Sequence, residues 1–171
     1  MPEEKRVLIV IAPVKFRDEE LSEPIKYLEK AGIGYDIIST QTGLAVGMLG
    51  GKILIEKTVQ DITQAGINRY GGILIVGGGG SPDHLWNSVP LQALVKEFYA
   101  AGKVVSAICL SSVVLAKAGV LKEKQATVSS CKSELRLVIG NPPSSNHQIH
   151  TSPRTIIEGM MDDFRLPKLE R

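Results

Sequence analysis

The chain has 171 residues, enough for one domain that buries most of its unfolded surface, and a net charge of +2. No long basic run or aromatic–basic interleaving points to nucleic acid, and no apolar stretch of about 18 residues points to a membrane span. Two cysteines, Cys109 and Cys131, are too few for a disulfide framework and no CxxC or paired His/Cys spacing suggests a metal, so the expectation is a soluble cytoplasmic protein without metal or cofactor.

Val7 to Ile11 is a continuous apolar run and reads as a buried strand. Asp18 to Ala31 carries Leu21, Ile25 and Leu28 at helical spacing, with Gly32 as a stop and Pro24 as an expected kink. Tyr35 to Ser39 is a second strand, and Gly43 to Ile55 reads as a hairpin around Gly50-Gly51. Val59 to Ile67 reads as a short helix. Gly72 to Val76 is a third core strand that ends in Gly77-Gly78-Gly79-Gly80-Ser81-Pro82. Leu91 to Ala101 is helical, Val104 to Cys109 is the next strand, and a helical pattern follows through Leu115 and Ala118. Ala126 to Val128 is expected as a strand lying beside, and parallel to, the one that bears Cys109. Cys131 to Ile139 reads as a helix, residues 141–146 as loop, Gln148 to Ser152 as a last strand and Thr155 to Phe164 as a short helix. Strands rich in Val and Ile, separated by helices, imply a mostly parallel sheet covered on both faces. Ligands of such sheets bind at the carboxyl ends of the strands, where the loops after Ile11, after Val76 and at Cys109 lie.

Cys109 sits where strand becomes helix, the position of a nucleophile on a sharp elbow. First-turn amides and the helix dipole there favour a thiolate. The plain alternative is a buried structural cysteine. The glycine run lacks both a ribose-binding acid at the expected distance and a GK[ST] ending, which argues against nucleotide binding. Its better use is an oxyanion hole, because glycine lets backbone N–H groups reach a ligand unobstructed; a simple tight turn is the alternative. His84 follows this loop, either at the pocket mouth or on a surface helix. His147 and His150, three apart on an expected strand, face opposite sides and make a poor ligand pair. Cys131 either acts as a resolving thiol for an oxidised Cys109 or merely opens the next helix.

Glycines after a strand, then Ala107-Ile108-Cys109, then Val114 to Leu121 and Ala126-Thr127, occur in an order that resembles the ThiJ/PfpI superfamily, specifically its PfpI-type group. Phe16-Arg17-Asp18-Glu19-Glu20-Leu21 is similar to that family's first-helix motif. The resemblance covers about residues 5 to 128. It implies a flavodoxin-like three-layer α/β sandwich with a central, mostly parallel sheet. It also implies a single domain over 1–171, atypical and shortened from about residue 129. By the same resemblance Cys109 is the nucleophile, Glu20 bonds or tunes it, and the N–H groups of Gly79 and Leu110 form the oxyanion hole. Without the resemblance, Glu20 reads as an ordinary acid in the first turn of a helix.

The departures carry information. Leu110 stands where PfpI-type members usually have His, and leucine neither accepts nor relays a proton. Ser112 stands where many relatives have Pro, and Ser129 and Ser130 where some have His. The resemblance thus implies a cysteine-dependent hydrolase- or glyoxalase/deglycase-like enzyme for small carbonyl or amide electrophiles, with classical peptidase activity weak. The alternative is a non-catalytic redox sensor or stress-response protein that uses oxidation of the same cysteine. A shortened C-terminal part uncovers apolar surface, from which a homodimer or higher homo-oligomer is expected.

Overall fold

A computed structural model describes residues 6–62, 64–121 and the backbone of 137–140. The strands are β1 Arg6–Val10, β2 Val14–Phe16, β3 Tyr35–Ile38, β4 Gly43–Gly47, β5 Lys52–Ile55, β6 Tyr70–Ile75, β7 Val104–Ile108 and β8 Leu137–Gly140. The helices are α1 Asp18–Lys30, α2 Gln64–Ile67, α3 Ser81–His84, α4 Val89–Ala100 and α5 Ser112–Lys117, with 3-10 turns at Val59–Asp61 and Cys109–Ser111.

The central sheet has the order β3-β1-β6-β7-β8 and is parallel except for β8. The inner strands β1, β6 and β7 are almost wholly apolar, Arg6 and Ser106 apart, because both faces are covered. On one face Leu8, Val10, Ile73, Ile75, Val105 and Ala107 pack with residues of α4 and α5. On the other, Val7, Ile9, Leu74, Val76 and Ile108 pack with Leu21 and Leu28 of α1. Alternation along each strand therefore feeds two cores, and the result is the expected flavodoxin-like sandwich. Leu91, Leu94, Val95 and Phe98 form the buried stripe of α4, and each is worth about 1.5–3 kcal/mol against exposure. Ser88 caps that helix by accepting from the Leu91 amide at 3.3 Å. No helix among the described residues is long and apolar enough to cross a membrane.

A second sheet, β2-β4-β5, stands beside the main one. The β4–β5 hairpin has its turn at Gly50-Gly51, as the glycine pair suggests. The Asp18 carboxylate, in the first turn of α1, accepts from the amides of Leu49 and Gly51 at 2.8 Å each. Its slight burial pushes the other way, yet these two amides hold the carboxyl below its usual range. The hairpin turn is thus tied to the helix that carries Glu20.

Four expectations change. β2 is an additional strand: its three residues gain their partner from β4, which is distant in sequence. The single helix expected over Val59 to Ile67 is divided. Asp61 folds back onto Thr58, accepting from its backbone N–H at 2.6 Å, and Ile62 is extended, so the first turn stops before α2 begins. Residues 137–139, expected at the end of a helix, are strand, because β7 offers them a ladder to complete. β7 is flanked by β6 and β8, so the place expected for 126–128 beside it is held by β8. Cys131, Ser129, Ser130, His147, His150 and the elements expected over 126–128, 148–152 and 155–164 lie outside the described residues.

Candidate active site

Parallel β1, β6 and β7 bring the loops after Ile11, Val76 and Ile108 to one edge of the sheet. At the end of β7 the chain turns sharply, and Cys109 adopts φ +52. A left-handed backbone costs a non-glycine residue about 1–2 kcal/mol, so the surroundings must impose it. They do so with hydrogen bonds on either side. The buried Ser111 hydroxyl donates to the Val76 carbonyl at 2.7 Å and lies 3.0 Å from the Ser81 hydroxyl. The Ser112 hydroxyl donates to the Cys109 carbonyl at 2.8 Å, and the Trp86 indole N–H to the Leu110 carbonyl at 2.7 Å. Ser112 thus closes the elbow on itself.

The glycine loop packs into this elbow from β6. A methyl group on Gly77 would meet Glu20 Oε2 at 2.6 Å, the Ile108 carbonyl at 2.7 Å and Cys109 Cβ at 3.0 Å. Gly78 has φ +111, and its missing side chain leaves room for the main chain of Lys15 to Arg17. The Arg17 amide donates to the Gly77 carbonyl at 3.0 Å, and the Gly80 amide to the Lys15 carbonyl at 3.1 Å. Gly79 is the exposed glycine of the run, and its N–H donates to the Met48 sulfur at 3.4 Å.

Glu20 projects from the first turn of α1 and is 4% exposed. Its Oε2 accepts from the Gly77 amide at 2.8 Å, and its carboxyl and Cys109 meet across the space a Gly77 side chain would fill. Burial pushes the Glu20 pKa up to about 7, although the Gly77 amide and the Arg17 charge favour its ionised form. Cys109 is half-buried, and its thiol is also pushed up, first by burial and then by the Glu20 charge. The Leu110 amide and the Arg17 charge act in the opposite direction. The expectation of a dipole-stabilised thiolate is therefore corrected. The elbow opens as a 3-10 turn and α5 has only six residues, so its dipole is outweighed by desolvation and a facing carboxyl. The two groups act as a unit: while Glu20 is neutral, nothing negative opposes a thiolate.

The structure thus brings together Glu20, Cys109, the Leu110 amide and the glycine loop. Leu110 contributes its backbone. His84 is half-buried at the end of α3, the short helix that follows the glycine loop. Among the described residues no group of three or more His, Cys, Asp or Glu side chains is arranged to hold a metal ion. Two further residues escaped the sequence reading. Arg17 stands inside the first-helix motif, and its charge acts on both members of the pair, although its side chain is exposed and bridged to Glu19 at 2.9 Å. Met48 arrives from the hairpin, and nothing in the local sequence signals that its sulfur meets Gly79.

Residues 5–141 match the DJ-1/PfpI family. An uncharacterized protein of Methanocaldococcus jannaschii is 57% identical over 123 residues, which cover 72% of this chain and 58% of that protein. The chain therefore spans less than two thirds of that relative's length. Protein/nucleic acid deglycase 2 of Escherichia coli is 29% identical over 125 residues, covering 72% of this chain and 70% of that one. The crystal structure of a ThiJ/PfpI domain protein from Brachyspira murdochii superposes with a TM-score of 0.66 at 28% identity, over 80% of this chain and 85% of the other. Oxidized DJ-1 of Toxoplasma gondii gives 0.70 at 23% identity, over 92% and 88% of the two chains, a likeness of fold.

Proposed function

The chain belongs to the DJ-1/PfpI family, and from that premise we propose that it is a cysteine-dependent hydrolase- or glyoxalase/deglycase-like enzyme acting on small carbonyl or amide compounds. The observation that carries the reading is the Cys109–Glu20 pair at the strand end: a half-exposed thiol on a strained elbow, facing across Gly77 a buried carboxyl whose pKa is pushed up to about 7. A general base is most useful when its pKa matches the working pH. In this reading the Cys109 S–H proton passes to ionised Glu20 as sulfur bonds to the carbonyl carbon. The carbonyl π pair moves onto oxygen, where the Gly79 and Leu110 N–H groups hold the charge. Glu20 then returns its proton, to the oxygen of an aldehyde adduct or to the leaving nitrogen of an amide. In the amide case water hydrolyses the resulting thioester. Leu110 supplies no second proton relay, which supports small activated carbonyls as substrates over peptides.

Turnover of a panel of 2-oxoaldehydes, their amine adducts and small amides tests this. Cys109→Ala should abolish turnover, and Glu20→Gln should lower kcat/KM by roughly 10²–10⁴. The wild-type kcat/KM should climb with pH through about 7, as Glu20 loses its proton. Turnover that survives Cys109→Ala would overturn the proposal. A second reading, an oxidation-sensitive thiol without turnover, draws support from the half-exposed sulfur and from Leu110 in place of an imidazole. Peroxide-dependent sulfinic acid at Cys109 in a protein inactive across the panel would favour it.

A further inference from the structure

In the proposed mechanism the Gly79 amide donates to the developing oxyanion, and a side-chain sulfur already stands on that amide. Met48 Sδ accepts from the Gly79 N–H at 3.4 Å. The direction a Gly79 side chain would take leads to Met48 Cε at 3.9 Å and Sδ at 4.0 Å, so the end of Met48 lies against this peptide. The main chain of Met48 is held: its N–H donates to the Phe16 carbonyl at 2.9 Å, and the following turn is tied to Asp18. The side chain is not so held. It is 47% exposed, unbranched, and free to turn about its own bonds. A thioether is also a weak acceptor, easily displaced by a carbonyl oxygen and more easily by an oxyanion.

We infer that Met48 is a specificity-determining gate over the carbonyl site. At rest its sulfur caps the Gly79 amide. A small carbonyl compound turns the side chain aside and takes the amide, whereas a bulky substituent collides with the methionine wall. The inference rests on the reading of Cys109 as a nucleophile toward small carbonyls and adds the residue that limits their size. Because the gate must open before any substrate oxygen reaches the amide, its effect falls on KM.

The test uses the full chain as wild type, Met48→Leu, Met48→Ala and Cys109→Ala. Methylglyoxal and its hexyl homologue serve as substrates, and Cys109 alkylation by N-methylmaleimide and N-benzylmaleimide gives a second readout that needs no turnover. Met48→Ala should raise the hexyl-to-methyl ratio of kcat/KM about tenfold through KM, and the benzyl-to-methyl alkylation ratio in the same direction. Met48→Leu keeps the wall, so both ratios should stay within about twofold of wild type. Ratios unchanged in Met48→Ala would overturn the gate while leaving the nucleophile reading intact. Turnover retained in Cys109→Ala would instead overturn the nucleophile reading. If wild type turns over neither substrate, the alkylation ratios alone decide the gate.

Discussion

Replacing Glu20 by Gln should remove most of a pH dependence that a single buried carboxyl builds into stability. Glu20 is 4% exposed, so solvent does little to screen it. Its pKa is pushed from 4.5 to about 7 in the folded chain. At roughly 1.4 kcal/mol per unit, that difference amounts to about 3 kcal/mol. The folded state holds the proton more tightly than the unfolded one. Its contribution is therefore complete below about pH 4.5, declines as pH rises, and is lost above about pH 7. Gln stays neutral at every pH, and its side-chain oxygen can still accept from the Gly77 amide. Urea unfolding of both proteins at pH 4.5, 6, 7 and 8 isolates the effect, since the groups not coupled to Glu20 cancel in the difference and Cys109, the coupled one, is held above this range. The variant should gain about 3 kcal/mol on wild type between the ends of that series. A difference that stays flat within about 1 kcal/mol would refute the argument from burial, because Glu20 would then titrate as if in water.

Three further outcomes follow from the elbow. Cys109→Gly should be about 1 kcal/mol more stable than Cys109→Ala in urea, because only glycine relieves the left-handed backbone; equal stability would mean that φ +52 carries no strain. Ser111→Ala should cost about 1–3 kcal/mol by the same assay, since the Val76 carbonyl and the Ser81 hydroxyl lose a buried partner; a cost below about 0.5 kcal/mol would show that they find another. Iodoacetamide alkylation of wild-type Cys109 should rise with pH only beyond the range of an ordinary thiol, and Glu20→Gln should shift that rise to lower pH; a plateau at or below neutrality would contradict the upward push on the thiol.

What the sequence determined by itself was local and periodic. Val7 to Ile11 reads as a strand buried on both faces because an unbroken apolar run has no solvent side to display. The helix from Asp18 to its stop at Gly32 follows from the spacing of Leu21, Ile25 and Leu28 and from a residue that takes φ +67 easily. The abrupt change from Val104–Ile108 to the small residues after it locates the elbow at Cys109. Glu20 entered only through the resemblance of its motif, since an acid in a first helical turn is unremarkable in isolation.

Only the tertiary structure decided the rest, because it depends on groups brought together from distant segments. β2 exists because β4 offers it a ladder, and residues 137–139 pair with β7 against their local helical pattern. The pKa of Glu20 depends on how much water the packed sheet edge removes from it, and Gly77 meets it from 57 residues away. The same desolvation, with Glu20 beside it, reverses the thiolate preference that the start of a helix suggests for Cys109. Met48 reaches Gly79 because β4 pairs with β2, its own N–H is held by the Phe16 carbonyl, and the hairpin turn is tied to α1 through Asp18. Periodicity along a chain reports which face is buried; it carries no information about which polar atom another segment will place there.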